Sequence, residues 1–264
     1  MTLKTVVIGI GERSFNSLKA IINLEEINIV YGIYDAGHVD EELYLAKLNS
    51  ISSEHNIPYI NISKLDANIE RILASLKPDL ILGLGLWRSL ISDKILNIPK
   101  YGYLGLHGTP LPHYRGFAGI YWQIINGEKN ISTCFYQLDS GIDSGKILLN
   151  TQNNLELRYS LNIDSEDHLE EIFKKYEALH IRAIKEMLQL LSVDQIKFIE
   201  QNEEKATYSC HRGPEDCEID WKMTTDQIFN LIRGVSRPAP GAFTFFNNKK
   251  VIIWRAKPIY EIYS

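Results

Sequence analysis

A histidine and an aspartate lie in two segments whose composition suits a site where protons move. His107 follows the apolar run 102–106 and precedes the glycine- and proline-rich segment 108–116, and Asp143 lies in a D-x-G-x-D-x-G segment at 139–145. An imidazole changes charge near neutral pH, and a carboxylate beside it can hold or accept a proton. A lone histidine at a strand end more often faces solvent, and a lone aspartate in a turn often binds backbone amides. The elements that position the two residues therefore decide between these roles.

The first hundred residues alternate short apolar segments with amphipathic ones. The apolar segments predict buried strands, and segments with apolar residues at helical spacing predict helices. This alternation predicts an α/β fold with a Rossmann-like, mostly parallel sheet covered by helices on both faces. Ligands of such sheets bind beyond the carboxyl ends of the strands, where His107 is expected. The predicted strands are 5–10, 28–34, 58–60, 78–83 and 102–107, and the predicted helices are 14–24, 40–54 and 66–76.

The second half of the chain predicts further elements and a change of character near residue 200. A polar, linker-like segment occupies 202–205, and from 207 the sequence predicts a small α+β unit with a hairpin turning at Asn247-Asn248. We therefore predict a core at 1–200 and a small C-terminal subdomain at 205–264. The other predicted elements are strands at 131–139 and 146–150 and helices at 117–126, 165–191 and 225–235.

The loop after the first predicted strand is a weak candidate for a phosphate site. Gly9 and Gly11 begin the pattern G-x-G-x-x-G, but Ser14 stands in place of the third glycine. A tight strand-to-helix turn is the simpler interpretation. The N-terminus of the following helix could still bind a phosphate, with Arg13 beside it.

Composition and charge argue against several classes of function. The net charge of −5 disfavours a nucleic-acid partner, because such proteins usually present a basic face. Cys134, Cys210 and Cys217 form no disulfide framework and match no common zinc pattern, so we expect no metal. The sequence shows no signal peptide and no 18-residue apolar window, which predicts a cytoplasmic protein without a membrane span.

The segment 102–149 resembles the catalytic region of formyltransferases that use N10-formyltetrahydrofolate. The matching features are His107 in a strand-end loop, L-P-x-Y-R-G at 111–116, Trp122 before N-G-E at 126–128, and the D-x-G-x-D-x-G segment. The resemblance extends over residues 1–190 and implies the sheet described above.

This resemblance implies the roles of the candidate residues. Formyl transfer to an amine builds negative charge on the formyl oxygen and releases a proton, so His107 and Asp143 are the implied catalytic residues. Trp87 could instead be a core aromatic residue, and Arg88 a solvated charge. The residues implied to bind the pterin ring of N10-formyltetrahydrofolate are Trp87, Arg88, Leu90, Asp139, Gly141 and Ile142.

The C-terminal segment resembles the small subdomain of sugar-nucleotide N-formyltransferases. The similar motifs are R-G-P-E-D at 212–216, I-D-W at 219–221 and R-P-x-P-G-A-F at 237–243. They imply a homodimeric enzyme that formylates the amine of a nucleotide-linked deoxyamino sugar, a precursor in cell-surface polysaccharide or lipopolysaccharide biosynthesis. Arg13, Tyr114 and Arg115 are expected to contact this substrate. The guanidinium groups of the two arginines suit a diphosphate, and Tyr114 adjoins Arg115. Tyr114 and Arg115 could equally brace their own loop.

One position departs from the family pattern. The family is expected to have an asparagine two residues before the histidine, where its amide donates to the formyl oxygen, and this chain has Gly105. Loss of one such donor typically lowers the rate by about 10²–10³-fold. Thr109, His113 or a water could replace it. Otherwise the chain is a non-catalytic or weakly active folate- or nucleotide-binding relative, and formylation of methionyl-tRNA is a third, less favoured function.

Overall fold

The computed structural model describes residues 1–37, 42–85 and 91–259. Within these ranges no helix combines the length and the apolar character needed to cross a membrane. The helices are α1 Gly11–Ile21, α2 Glu42–Glu54, α3 Ala67–Leu76, α4 Asp93–Leu96, α5 Gly119–Ile125, α6 Leu169–Ser192 and α7 Thr225–Gly234. The strands are β1 Leu3–Gly9, β2 Ile27–Asp35, β3 Tyr59–Ile62, β4 Leu80–Gly83, β5 Tyr103–His107, β6 Arg115–Gly116, β7 Asn130–Gln137, β8 Ile147–Asn150, β9 Leu155–Glu156, β10 Arg158–Asn162, β11 Ile196–Ile199, β12 Tyr208–Ser209, β13 Ala242–Phe246 and β14 Lys249–Ile253.

The chain divides into two compact units, each built from separate stretches of sequence. The first consists of residues 1–107, 134–158 and 180–202, and the second of 108–133, 159–179 and 203–264. The C-terminal residues from 203 onward thus belong to the same unit as two earlier stretches. The domain boundaries at 1–200 and 205–264 stay a prediction.

The main sheet has the strand order β11-β8-β7-β5-β4-β1-β2-β3. In this order, the neighbouring strands from β5 to β3 are parallel to one another. On the other side of β5, each strand is antiparallel to its neighbour: β7 to β5, β8 to β7 and β11 to β8. Val6, Ile8, Ile33 and Ile81 lie in the core, which explains why these strands are continuous apolar runs rather than alternating ones. The predicted α/β fold with a mostly parallel sheet is confirmed, and the antiparallel strands beside β5 add a feature that the apolar pattern did not reveal.

The second unit contains the elements predicted near the C-terminus. Helix α7 begins after Thr224, whose hydroxyl accepts from the backbone N–H of Gln227 while the Gln227 side chain accepts from the backbone N–H of Thr224. Strands β13 and β14 form the predicted antiparallel hairpin. Its turn residues Asn247 and Asn248 have φ of 48° and 59°, a conformation that asparagine tolerates better than most residues.

His180, buried in α6, is expected to make stability depend on pH. Burial, with a smaller contribution from the positive charge of Arg13, lowers its pKa to about 3. The folded chain therefore keeps this imidazole neutral in an interval where the unfolded chain protonates it, below about pH 6.5. Because the unfolded state binds more protons there, the free energy of unfolding should fall as pH falls from about 6.5 towards 3, by at most about 1.4 kcal/mol per pH unit.

Urea unfolding between about pH 7 and pH 5 measures this slope. His180→Gln removes this titrating group and should make the dependence less steep, whereas His55→Gln, at an exposed histidine, should leave it unchanged. Equal slopes for the wild-type chain and His180→Gln would contradict the assignment.

Candidate active site

Strand β5 ends at His107, whose side chain lies on the same face of the sheet as residues of β7. Tyr103, Gly105 and His107 lie on one face of β5 because successive side chains of a strand point to opposite faces. The antiparallel pairing places Gly105 opposite Tyr136 and His107 opposite Cys134. Directly opposed residues share a face, so Tyr136 lies diagonally next to His107.

The loop after β7 takes its shape from Asp139. The carboxylate accepts from the backbone N–H of Gly141 at 3.1 Å and from the Ser144 hydroxyl at 3.0 and 2.9 Å. Ile142 exposes 50% of its surface, so an apolar side chain and the adjoining backbone are open to a ligand. The pterin-binding role of Asp139, Gly141 and Ile142 stays a prediction. The remaining residues predicted for that pocket, Trp87, Arg88 and Leu90, lie outside the described residues.

The same loop is fixed around Asp143, whose backbone is left-handed with φ 51°. The Gln201 side-chain amide donates to the carbonyl oxygens of Asp143 at 2.8 Å and of Gly145 at 2.7 Å. A Cβ at Gly145 would lie 1.7 Å from the carbonyl oxygen of Gln137, so the close approach of the two backbones requires glycine. Gln201 lies 58 residues from Asp143 in the sequence, and no local motif pointed to it.

His107 and Asp143, the two residues that the sequence analysis singled out, lie side by side. His107 Nδ1 is 3.6 Å from Asp143 Oδ2, and their side chains are only 8% and 15% exposed. This distance exceeds that of a direct N–H···O hydrogen bond, and catalytic contacts are often longer in ligand-free sites than in complexes. A shielded carboxylate at this distance can stabilise a positive imidazole and receive a proton from it directly or through water.

Tyr136 completes the cluster and was not predicted. Its hydroxyl donates to Asp143 Oδ1 at 2.7 Å, and its ring meets the His107 ring edge-to-face at a centroid distance of 6.0 Å. Burial, and then the negative charge of Asp143, raises the pKa of Tyr136 well above its usual value. The phenol therefore keeps its proton at neutral pH and acts as a donor to Asp143.

The first strand-to-helix turn is closed by Ser14. The buried Ser14 hydroxyl oxygen accepts from the backbone N–H of Ile10 at 2.6 Å. This contact supports the interpretation of a tight turn for the incomplete glycine pattern. Arg13, the residue before Ser14, lies in the first turn of α1, close enough to His180 to affect its pKa, and its contact with a nucleotide stays a prediction.

In the second unit, Arg115 braces its own loop. The side chain is fully buried, and its guanidinium donates to both carboxylate oxygens of Glu203 at 2.9 and 2.6 Å and to the Tyr208 hydroxyl oxygen at 3.0 Å. Such a bidentate pair is among the strong hydrogen-bonded contacts in proteins. Of the two roles considered for Arg115, this geometry supports bracing, because a fully buried guanidinium is not presented to a diphosphate.

Tyr114 lines a polar cavity of the second unit with a volume of about 720 Å³. Its hydroxyl donates to Glu128 Oε1 at 2.9 Å and accepts from the Asn126 amide at 3.2 Å, which links the Y-R-G and N-G-E motifs. A contact between Tyr114 and substrate stays a prediction. Other residues around the cavity include Gln123, Asn130, Ser132 and Thr207.

Thr109 was one candidate for the donor missing at Gly105. Its side chain is fully buried, and its hydroxyl donates to the carbonyl oxygen of His113 at 2.9 Å. A proton used in this way is not available to a formyl oxygen, so this geometry disfavours Thr109 as the replacement.

Replacing Gln201 by alanine is expected to lower the free energy of unfolding by about 1–3 kcal/mol, because two carbonyl oxygens lose their donor in a buried place. Urea unfolding measures the difference. Gln152→Ala, at an exposed glutamine, is the matched control and should change stability by no more than about 0.5 kcal/mol. Similar losses for both variants would contradict the role given to Gln201.

Comparison with known proteins assigns the chain to one family. The model of the formyl transferase family matches residues 40–186, and that of the formyl transferase C-terminal domain matches residues 212–263. Because the first match covers more than half of the chain, the chain belongs to the formyl transferase family.

Relatives and a solved structure extend this finding. The bifunctional polymyxin resistance protein ArnA of Wigglesworthia glossinidia brevipalpis is 32% identical over 99% of this chain and 39% of its own length. The methionyl-tRNA formyltransferase of Caldanaerobacter subterraneus is 34% identical over 71% of this chain and 57% of its own length. The chain thus spans less than two thirds of either relative. An N-formyltransferase from Helicobacter canadensis, solved with folinic acid and dTDP-3-aminofucose, has a TM-score of 0.64 at 16% identity, with 95% of each chain covered, which shows a shared fold.

Proposed function

We propose that this chain transfers a formyl group from N10-formyltetrahydrofolate to the primary amine of a nucleotide-linked deoxyamino sugar. The observation that carries the proposal is the buried cluster of His107, Asp143 and Tyr136 in a member of the formyl transferase family. Membership of that family implies a folate-derived cofactor, and the formyl-bearing form is part of the proposal.

His107 and Asp143 divide the proton transfers of this reaction. The acceptor nitrogen bonds to the formyl carbon, the bond from that carbon to the folate nitrogen breaks, and a proton passes from the amine to the departing nitrogen. As imidazolium, His107 donates to the formyl oxygen while negative charge develops there; as neutral imidazole, it takes the proton of the amine. Asp143 stabilises the positive imidazole and accepts a proton directly or through water.

The loop from Asp139 to Asp143 fits one side of a pterin pocket. Its backbone is held by the Asp139 carboxylate and the Gln201 amide, and Ile142 offers exposed apolar surface beside it. A rigid backbone edge with an apolar neighbour suits a flat ring that forms hydrogen bonds along one edge. We assign the pterin to this loop together with Trp87, Arg88 and Leu90; the bound folate supplies the formyl group.

The proposal that the acceptor is a sugar nucleotide rests on the C-terminal segment and on the relatives. The match to the C-terminal domain, the similarity to ArnA and the dTDP-3-aminofucose bound to the Helicobacter enzyme support it. Arg13 and Tyr114 are the residues that we propose for this substrate. The similarity to a methionyl-tRNA formyltransferase supports the competing acceptor, methionyl-tRNA.

Incubation with N10-formyltetrahydrofolate and a panel of amino-sugar nucleotides, followed by mass spectrometry, tests the proposal. The panel should vary the ring position of the amine and the base, and methionyl-tRNA should be assayed in parallel. We expect a formylated sugar nucleotide. Formylation of the tRNA alone would overturn the sugar substrate.

Gly105 gives a specific reason to test a second function, that of a folate- or nucleotide-binding relative without turnover. Calorimetric titration with folinic acid and with the sugar nucleotides measures binding independently of catalysis. Tight binding without any formylated product would favour this second function.

We also propose a homodimer that acts in the cytoplasm on a precursor of a cell-surface polysaccharide such as lipopolysaccharide. In the second unit, the β13–β14 hairpin exposes Phe246 and Val251 on one of its faces, an apolar surface that a second copy of the chain would cover. Light scattering should give the mass of a dimer for the wild-type chain and of a monomer for Phe246→Asp. A wild-type monomer at micromolar concentration would contradict the homodimer.

A further inference from the structure

Gly105 and Tyr136 fit each other in size across the β5–β7 pair. A Cβ at Gly105 would lie 3.0 Å from Leu138 Cδ1 and 3.3 Å from Tyr136 Cε1, so these neighbours would have to move. The φ angle of Gly105 is not positive, and a larger residue could adopt this backbone. A Cβ at this position therefore needs Leu138 and the Tyr136 ring, which lies directly opposite, to give way by a few tenths of an ångström, and a larger side chain needs more.

The ring of Tyr136 is held in that space by its hydroxyl. The hydroxyl donates to Asp143 Oδ1 at 2.7 Å, while Asp143 Oδ2 lies 3.6 Å from His107 Nδ1. One carboxylate oxygen thus faces the phenol and the other faces the imidazole. Rotation of the carboxylate away from His107 would break the contact with the phenol, so the phenol restrains the carboxylate in its orientation towards His107.

We infer that Tyr136 is a positioning residue for Asp143 and that Gly105 is its size-matched partner. This inference rests on the proposed function, because it gives Asp143 a part in formyl transfer. The Tyr136 ring, from the neighbouring strand β7, fills the space that an asparagine at position 105 would occupy. Its hydroxyl donates to the Asp143 carboxylate. Tyr136 then acts through Asp143 and exchanges no proton with substrate.

Tyr136→Phe keeps the ring and removes only the donor. We expect kcat to fall by about 10–100-fold, the rate equivalent of a hydrogen bond to a charged group, while KM for both substrates changes by less than about threefold. Tyr34→Phe is the matched control. Its fully buried hydroxyl pairs with Ser52, and its loss should leave kcat unchanged. An active wild-type enzyme whose Tyr136→Phe variant retains the wild-type kcat would overturn the positioning role.

Thermal unfolding tests the fit between the two residues without any need for turnover. Gly105→Asn should lower the unfolding midpoint by about 3–10 °C in the wild-type background, because it overpacks the site. In the Tyr136→Ala background, where the ring is absent, the same substitution should lower it by less than half as much. Gly105→Ala, which adds only a Cβ, is a milder replacement with the same expected sign.

Equal shifts of the midpoint in both backgrounds would overturn the pairing of Gly105 with Tyr136. A wild-type chain that formylates none of the offered amines would refute the proposed function, and the unfolding measurements would still decide whether the two residues are paired. The two failures are therefore distinguishable.

Discussion

His107→Ala is expected to lower kcat for formyl transfer by about 10³-fold. The substitution removes the only group placed both at the end of β5 and beside the Asp143 carboxylate among the residues that the structure describes. A loss of this size corresponds to removing a proton carrier or a donor to the developing oxyanion. Steady-state kinetics with the sugar nucleotide identified as acceptor would measure it.

A second substitution at this position separates the two roles open to the imidazole. His107→Gln keeps an amide donor and cannot carry a proton, so it should recover no more than about tenfold of the loss if proton transfer matters. His55→Ala, at an exposed histidine just after α2, should retain wild-type activity. A His107→Ala variant with a kcat close to wild type would reject the catalytic assignment.

Asp143→Asn is expected to lower kcat by about 10²–10³-fold. Asparagine tolerates the left-handed backbone found at this position, and its oxygen can still accept from Tyr136. The substitution therefore removes the negative charge beside His107 while the loop keeps its shape. Kinetics in parallel with circular dichroism would separate a loss of chemistry from a loss of fold.

Asp220→Asn provides the matched change at an exposed aspartate whose carboxylate accepts a backbone N–H in the second unit. It should leave kcat unchanged. If Asp143→Asn also retained full activity, the carboxylate would have no part in proton transfer, and the proposed role of Tyr136 would fall with it.

The positions of His107 and Asp143 could be predicted because both follow from local patterns. An apolar strand that ends at a histidine places that residue at the carboxyl edge of a parallel sheet. The D-x-G-x-D-x-G segment marks a tight loop, and the contacts of Asp139 and Gly145 show why its residues are needed there. The pairing of β5 with β7 then brings the two residues within reach.

Tyr136 and Gln201 could not be predicted from the sequence, and the two roles open to Arg115 could not be separated, for a common physical reason. A shift of one residue in the β5–β7 register would turn Tyr136 to the other face, and no local signal fixes that register. Gln201 reaches a loop 58 residues away, and Arg115 pairs with a glutamate 88 residues away. Contacts across such separations depend on tertiary packing, which no short motif encodes.

The most direct test of the account is a competition between acceptors for a labelled formyl group. N10-formyltetrahydrofolate labelled in the formyl carbon would be supplied to the wild-type chain with equal concentrations of amino-sugar nucleotides and methionyl-tRNA, with His107→Ala in parallel. The account predicts label on the amine of one sugar nucleotide, and at least about 10²-fold less with His107→Ala. Label on the tRNA, or equal labelling by the two proteins, would contradict it.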